Sequence, residues 1–376
     1  MDFLKVLGEK LAEFINVADA WIWDWPLMVL IFATGILLTV RSGLVQVLRL
    51  PRALRYMFQN EQDGEGEVTS FGALCTALSA TIGTGNIVGV ATAICLGGPG
   101  ALFWMWLAAF FGMATKYAEG LLAIKYRTIE PDGHVLGGPF YYIERGMGKN
   151  WRWLAKMFAF FGASAGVLGI GTVTQINGVA GAVEALFDPN KANIALSIGD
   201  INYTWATVLT AVIVSFLVGL VIIGGIKRIA KVAEIVVPFM AAFYIIVCVI
   251  ILVCNASKVP EAFALIFSSA FTGTAAIGCF SGAVLKEAIS RGVGRGIFSN
   301  EAVLGSAPIA AAAASTNSCV RQGLVSMTGV FIDTIIICTM TGLTIIISGA
   351  WFQEGLEGVA VTSYAFAQGM SFAPFI

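Results

Sequence analysis

Long apolar stretches separated by short polar segments dominate the chain. Eight of them could cross a bilayer as helices, because about 20 mostly apolar residues span a hydrocarbon core of about 30 Å. They lie near residues 22–40, 69–95, 100–124, 157–186, 204–224, 232–254, 263–290 and 322–348. Lipid-exposed backbone must satisfy its own hydrogen bonds, and the sequence lacks the alternation typical of strands. The pattern therefore predicts an all-α integral membrane protein.

Two further segments are apolar but are not predicted to span. In residues 1–20, six apolar side chains share one helical face and the charged ones lie elsewhere, which predicts a helix on the membrane surface. This segment lacks a small-residue cleavage site, so we keep it in the mature chain. The alanine-rich stretch at 305–314 is predicted to belong to a loop over 293–321.

Composition supports the membrane assignment and excludes other classes of protein. The chain of 376 residues is 58% hydrophobic and 12% charged, whereas soluble domains carry about 25% charged residues. A net charge of −1 with a single histidine, His134, argues against a nucleic-acid surface and leaves little for a histidine-based metal site.

The distribution of Lys and Arg predicts the orientation, because cytoplasmic loops are enriched in these residues. One set of alternate loops holds 17 Lys and Arg residues and the other set holds 4, while Lys116 lies inside a span. The rich set comprises Arg41, Arg49, Arg52, Arg55, Lys125, Arg127, Arg145, Lys149, Arg152, Lys156, Lys227, Arg228, Lys231, Lys286, Arg291, Arg295 and Arg321. These loops are predicted to be cytoplasmic, which puts the N-terminus outside and the protein in the plasma membrane.

Two spans carry sequences that favour a break in the helix. The second contains SATIGTGNIVGV at 79–90, and the seventh contains FTGTAAIGCFSG at 271–282. Glycine costs about 1 kcal/mol relative to alanine within a helix, and freed backbone groups are tolerated in lipid where they line a protein cavity. Two interrupted helices indicate a binding site at the midplane. Close packing of the GxxxG kind is the alternative explanation for these glycines.

Four motifs resemble the alanine or glycine:cation symporter family. They are GTGNIVGVATAICLGGPGALFWMW at 83–106, GGPFYYIERGMG at 137–148, RGIFSNEAVLGSAPIAAAAA at 295–314 and FIDTIIICTMTGL at 331–343. The resemblance covers the chain from about residue 20 onward. It implies a leucine-transporter fold, with two inverted five-helix repeats and one extra N-terminal helix.

This resemblance divides the chain into four parts. They are a surface helix at 1–20, an extra span at 22–40, a first five-helix repeat at 69–254 and the start of a second at 263–376. Two repeats need ten core helices, and eight spans supply the extra helix plus seven. We therefore expect an incomplete, C-terminally truncated transporter.

An amino-acid substrate needs partners for a carboxylate and an ammonium group. Backbone N–H groups after a helix break suit the carboxylate, which assigns Thr84, Gly85 and Asn86 to it. The resemblance implies that Gln175 helps to hold the carboxylate. It also implies that Phe280 and its neighbour Ser281 contact the ammonium and wall the side chain. Helix–helix hydrogen bonding is the alternative for Gln175.

Na⁺ is the coupling ion implied by the resemblance, with no other metal expected. It needs about five or six oxygens, which carbonyls and hydroxyls can supply. The family register suggests the carbonyls of Ser79 and Ile82 as half of the cation site.

Charged residues inside spans are costly and are candidates for function. Asp333 is a candidate gating or coupling residue, with a structural hydrogen bond as the alternative. We expect Lys116 to pair with Glu119, and Lys231 with Glu234, because each pair is separated by three residues on a helix.

The sequence therefore predicts a transporter and not an enzyme, since it offers no catalytic constellation. The expected activity is Na⁺-coupled symport of alanine or glycine by alternating access. An H⁺-coupled amino-acid symporter, a channel and a non-transporting sensor are the alternatives.

Overall fold

The computed structural model describes residues 2–23, 25–59, 61, 64–169, 171–199, 201–271 and 285–369. Most of these residues are helical. The α-helices in chain order are α1 Asp2–Trp23, α2 Trp25–Arg41, α3 Val45–Leu48, α4 Leu50–Met57, α5 Ser70–Thr81, α6 Val90–Gly97, α7 Ala101–Lys125, α8 Pro139–Gly146, α9 Arg152–Val167, α10 Thr172–Phe187, α11 Trp205–Ile222, α12 Gly225–Cys254, α13 Val259–Phe271, α14 Leu285–Asn300, α15 Ala307–Ala312, α16 Cys319–Val330, α17 Thr339–Ser348 and α18 Val359–Gly369.

Two short antiparallel hairpins lie in loops. β1 (Thr128–Ile129) pairs with β2 (Val135–Leu136), and β3 (Ile194–Ile198) pairs with β4 (Ile201–Thr204). The expectation of no strands is wrong here. Strands of two to five residues are too short to show an alternating pattern against the surrounding loop sequence.

Six of the eight predicted spans are long and apolar enough to cross a membrane. Four are continuous helical segments, at Ala101–Lys125, Trp205–Ile222, Gly225–Cys254 and Cys319–Ser348. The other two are the stretch Lys149–Phe187, which comprises α9 and α10, and the bent pair at Ser70–Thr81 and Gly85–Gly97. The predicted span at 22–40 corresponds to α2, which is 17 residues long. The described residues therefore establish a helical, multi-pass architecture but not a count of eight.

The predicted span at 157–186 is divided in the structure. Helix α9 ends at Val167 and α10 begins at Thr172. Gly169 and Gly171 lie between them with φ angles of 69° and 87°, values that L side chains rarely adopt. The glycines of this junction thus favour a turn where the apolar pattern predicted one continuous helix.

The predicted break at 79–90 is confirmed. Helix α5 ends at Thr81, a π-helical turn runs over Gly85–Gly89, and α6 begins at Val90. The two halves are bent by 53°. Ile82 has extended angles of φ −77° and ψ 105°, so the helical ladder stops there. The second predicted break, at 271–282, falls almost entirely on residues 272–284, outside the described part of the chain.

The predicted loop at 293–321 is wrong over its first part. Helix α14 continues to Asn300, and α15 forms a short helix within the rest. Val293 and Ile297 are buried on one face of α14. A Cβ added at Gly296 would lie 3.3 Å from Met105 Cα, so this glycine permits close packing on α7. The first residues of the predicted loop therefore belong to an amphipathic, closely packed helix.

Helix α7 lies at the centre of the described bundle and packs against α2, α14, α15 and α16. Small residues make these contacts close: a Cβ at Gly323 would lie 2.7 Å from Tyr117 O. Helices α16 and α17 are joined by a second π-helical segment, Phe331–Cys338, which includes Asp333. The packing around α7 brings this segment to the break between α5 and α6.

Candidate functional site

The turn between α5 and α6 is closed by the side chain of Asn86. Gly83 N–H donates to Asn86 Oδ1 at 2.8 Å, and Asn86 N–H donates to Gly83 O at 3.2 Å. In a continuous helix these two N–H groups would bond to Ser79 O and Ile82 O. The break therefore takes the helical partners away from the two carbonyls that the family register suggested for a cation.

The surroundings of these two carbonyls differ. Ile82 is buried, whereas Ser79 is exposed and its hydroxyl donates to Thr76 O at 2.7 Å. Carbonyl oxygens released from a helix ladder are suitable ligands for a hard monovalent cation. A complete shell needs further oxygens beyond these two.

Gln175 on α10 lies directly against the break. Its Oε1 accepts from Thr84 N–H at 3.0 Å. The approach is close, since a Cβ at Gly83 would lie 2.5 Å from the Gln175 amide and a Cβ at Gly178 would lie 2.7 Å from Thr84 Cγ2. The structure thus brings Gln175 to one of the N–H groups expected to hold a substrate carboxylate.

The side chain of Asn86 also belongs to a buried polar cluster, which comprises Asn86, Ser299, Asp333 and Thr334. Its Nδ2 donates to Asp333 Oδ1 at 2.8 Å and to Ser299 Oγ at 3.1 Å, with Cys338 Sγ at 3.3 Å. All four residues of the cluster are buried, Asp333 completely.

Both oxygens of the Asp333 carboxylate accept hydrogen bonds within this cluster. Asp333 Oδ2 accepts from Ser299 Oγ at 2.9 Å and from Thr334 Oγ1 at 2.8 Å, and Oδ1 accepts from Asn86. Three neutral donors on three chain segments offset part of the cost of burying the charge. The cluster joins the break to the end of α14 and to the second π-helical segment.

Lys116 extends this network at the same, C-terminal end of α14. Its Nζ donates to Asn300 O at 3.1 Å and Glu301 O at 3.0 Å, and Asn300 Nδ2 donates to Thr334 Oγ1 at 3.0 Å. Lys116 therefore stabilises the carbonyl end of α14, where a cation is favoured by the helix dipole. The predicted ion pair with Glu119 is replaced by these main-chain contacts.

The structure brings some of the predicted site residues together, whereas others lie outside the described part of the chain. Thr84, Gly85, Asn86 and Gln175 meet at the break, and Asp333 reaches it through Asn86. Phe280 and Ser281 lie outside the described residues. Sequence reasoning missed Ser299 and Asn300 because they were placed in a loop. The spacing of Val293, Ile297 and Asn300 on one helical face could have revealed them.

Comparisons with known proteins agree with the expectation of a transporter. The chain matches the sodium:alanine symporter family over residues 8–376. It is 54% identical over 356 residues to an uncharacterized transporter of Haemophilus influenzae, covering 95% of this chain and 74% of that protein. It is 48% identical over 373 residues to the sodium/alanine symporter AgcS of Methanococcus maripaludis, covering 97% and 76%.

A third relative is named for a different substrate. The probable sodium/glutamine symporter GlnT of Bacillus subtilis is 39% identical over 358 residues, covering 95% of this chain and 70% of that protein. Similarity across nearly the whole chain resolves the class of protein, since these relatives are transporters and not enzymes. The chain belongs to the sodium:alanine symporter family of multi-pass membrane transporters.

Proposed function

We propose that this protein is a Na⁺-coupled symporter of a small neutral amino acid, alanine or glycine, that works by alternating access in the plasma membrane. The observation that carries the proposal is the break between α5 and α6, at which Asn86 frees two carbonyls and binds the buried Asp333. Relatives named for sodium/alanine and sodium/glutamine symport support the class of substrate and of ion.

The proposed architecture is the leucine-transporter fold with one extra N-terminal helix. Its parts are the surface helix at 1–20, the extra span at 22–40 and the repeats beginning at 69 and 263. The 53° bend between α5 and α6 supports this assignment, since the fold requires a broken helix at that place. The basic loops support an outside N-terminus.

The proposed substrate site comprises Thr84, Gly85 and Asn86 with Gln175, Phe280 and Ser281. Gln175 Oε1 on Thr84 N–H stands in for a carboxylate oxygen, because both are acceptors for the same N–H donor. In the bound state the substrate carboxylate takes that N–H and the Gln175 amide turns to donate to it. The Asn86 side chain, which is buried and hydrogen-bonded, positions the N–H groups of the turn and does not itself bind the substrate.

The proposed cation site uses Ser79 O and Ile82 O. Na⁺ bound to these carbonyls stabilises the broken form of the helix, and the same form presents Thr84 N–H to the substrate. Coupling follows because each ligand favours the conformation that the other needs. A second candidate is H⁺ coupling, favoured by the fully buried carboxylate of Asp333, which could carry a proton.

The test is uptake of labelled alanine or glycine into proteoliposomes made with the full-length gene product. An inward Na⁺ gradient should drive accumulation, and replacing Na⁺ with K⁺ at equal pH should abolish it. Uptake that persists in K⁺ and follows a pH gradient would support the proton alternative. Binding without flux would indicate a sensor, and dissipative flux without accumulation would indicate a channel.

A further inference from the structure

A short elbow of the chain follows α2, on the side that the basic loops predict to be cytoplasmic. We define the elbow as residues 41–58, which run from the end of α2 through α3 and α4. The chain turns at Gly43 and Leu44, whose φ angles are 65° and 55°. Leu44 N–H donates to Thr39 O at 2.9 Å, which closes the turn on the last turn of α2. The elbow therefore begins where the predicted span at 22–40 ends.

One face of the elbow is fixed on the helix bundle. Val45 and Gln46 are buried, and Gln46 Nε2 donates to Thr39 Oγ1 at 2.9 Å. Ala53 and Met57 are the buried residues of α4, which packs against α16. These contacts hold the elbow in one orientation, so the residues on its other face are presented to the surroundings in a defined arrangement.

The face of the elbow nearest to α2 is apolar and exposed. Leu44, Val47 and Leu48 are 47%, 53% and 68% exposed. They continue the exposed apolar surface of α2, on which Leu37 and Val40 are 54% and 72% exposed. Apolar side chains beside the end of a membrane-crossing helix are stabilised at the boundary between acyl chains and head groups. This face therefore lies at the level of the lipid head groups.

Four exposed arginines border this apolar face. They are Arg41 at the end of α2 and, at every third position from the N-cap of α4, Arg49, Arg52 and Arg55. Among the residues that the structure describes, none of the four has an acidic partner within ion-pair distance. Residues 25–60 contain no Asp or Glu. The positive charge of the elbow is thus not balanced by an acidic residue of its own segment.

We propose that the elbow is a binding site for anionic phospholipids, whose phosphates contact the arginines of α4 while their acyl chains pack on the exposed apolar residues of α3. A guanidinium offers a planar fork of donors that matches the oxygens of a phosphate. Basic residues directly beside a membrane-crossing helix attract anionic lipids. A free phosphate ion would use the arginines alone, whereas an anionic lipid satisfies both the charged and the apolar part of the surface.

The alternative is that these arginines only set the orientation of the protein during insertion. In that case the folded protein has no preference for the lipid beside the elbow. The lipid preference at this position therefore separates the two explanations.

The experiment measures which lipid lies beside the elbow. Val47→Cys, in the full-length gene product without its native cysteines, is labelled with a fluorophore and reconstituted in phosphatidylcholine vesicles. Phosphatidylglycerol or phosphatidylcholine with brominated acyl chains is then included as the quencher, at increasing mole fraction. Each Lys or Arg near an anionic surface strengthens binding by about fivefold. Brominated phosphatidylglycerol should therefore give half-maximal quenching at a mole fraction at least about tenfold lower than brominated phosphatidylcholine, and equal quenching would overturn the proposal.

Neutralising the arginines of α4 tests whether they cause this preference. In Arg49→Gln/Arg52→Gln/Arg55→Gln, the preference for phosphatidylglycerol should fall to about twofold or less. These side chains are exposed, so the helix should keep its packing on α16. A preference that stays at tenfold in this variant would overturn the proposal.

The matched control removes the same amount of charge elsewhere on the same predicted side. Lys227, Arg228 and Lys231 are exposed residues in the first two turns of α12. In Lys227→Gln/Arg228→Gln/Lys231→Gln, the preference at position 47 should stay at about tenfold. A loss equal to that of the elbow variant would overturn the proposal, because the preference would then follow the total charge of the protein and not the elbow.

Two further measurements need no change in the arginines. In about 1 M NaCl the Debye length falls to about 3 Å, so the preference should fall to about twofold, and a preference that persists would overturn the proposal. Inorganic phosphate should reduce quenching by phosphatidylglycerol no more than NaCl does at equal ionic strength. A larger reduction would identify a site for free phosphate and overturn the proposal. Every one of these readouts is independent of transport, so a failure of the proposed symport would leave the test of the elbow unaffected.

Discussion

The side chain of Asn86 offers the sharpest test of how the break is maintained. In Asn86→Ala, Gly83 N–H and Asp333 Oδ1 both lose a partner. A buried group left without a partner costs about 1–3 kcal/mol, so the broken conformation should lose about 2–6 kcal/mol. Gly83 N–H can recover part of this by bonding to Ser79 O, which would lengthen α5 through the break.

This rearrangement predicts a specific functional loss. A helical Ser79 O is no longer free for a cation, so Na⁺ affinity should fall. With about 2 kcal/mol remaining after relaxation, the expected loss is about 30-fold, since 1.4 kcal/mol corresponds to tenfold. Na⁺ titration of labelled alanine binding measures it directly.

The matched control is Asn177→Ala, which removes the same amide from an exposed position on α10. Exposed substitutions usually change stability by less than about 0.5 kcal/mol, so Na⁺ affinity should change by less than about threefold. A folded Asn86→Ala protein with unchanged Na⁺ affinity would refute the reasoning, because the break would then persist without its amide.

Three further changes probe the neighbouring groups. Gln175→Glu keeps an oxygen on Thr84 N–H but adds a negative charge beside the substrate carboxylate. Alanine affinity should therefore fall by about tenfold or more, and further than in Gln175→Ala. Equal losses of affinity in the two variants, measured by binding isotherms, would contradict this. Asp333→Asn keeps the volume and removes the charge. If Na⁺ is the coupling ion, uptake should fall with an unchanged dependence on external pH, whereas loss of a pH dependence would identify Asp333 as a proton carrier. Lys116→Met leaves two carbonyls at the end of α14 without their donor. This should cost about 2 kcal/mol of stability and lower the unfolding temperature in detergent. Lys116→Arg should lower the unfolding temperature less.

The break between α5 and α6 could be predicted because its cause is local. Three glycines and two threonines within SATIGTGNIVGV weaken a helix wherever it packs. Propensity does not show how the break is closed. The bond from Gly83 N–H to Asn86 Oδ1 is local too, but an asparagine there is equally compatible with a surface or a packing role.

The partners of the intramembrane charges could not be predicted from spacing. Lys116 and Glu119 are neighbours on a helix, yet Lys116 bonds to carbonyls about 185 positions along the chain. Glu234 likewise bonds to Thr69 and not to Lys231. Helix spacing identifies pairs that can meet, whereas the end of another helix offers carbonyls that are invisible in the side-chain pattern.

Helix α14 was misjudged for a related reason. The apolar span was predicted to end near residue 290, and residues 293–321 were predicted to be a loop because another crossing there would weaken the asymmetry of the Lys and Arg residues. In the structure Gly296 lies against α7, and Ser299 is thereby placed within reach of Asp333. A missed helix thus concealed one of the three donors to the buried carboxylate.

The buried cluster also explains why a structural and a functional role for Asp333 need not compete. Its carboxylate bonds to the break through Asn86 and to the end of α14 through Ser299, so it fixes the distance between these two segments. Asp333 itself lies in a π-helical segment, as the residues after the break do, and such segments recur where helices shift register at functional sites. A ligand that straightens or bends the α5–α6 turn must therefore either move α14 with it or break buried hydrogen bonds at about 1–3 kcal/mol each. The same hydrogen bonds that stabilise the bundle therefore make the binding of a ligand at the break and the position of α14 depend on each other.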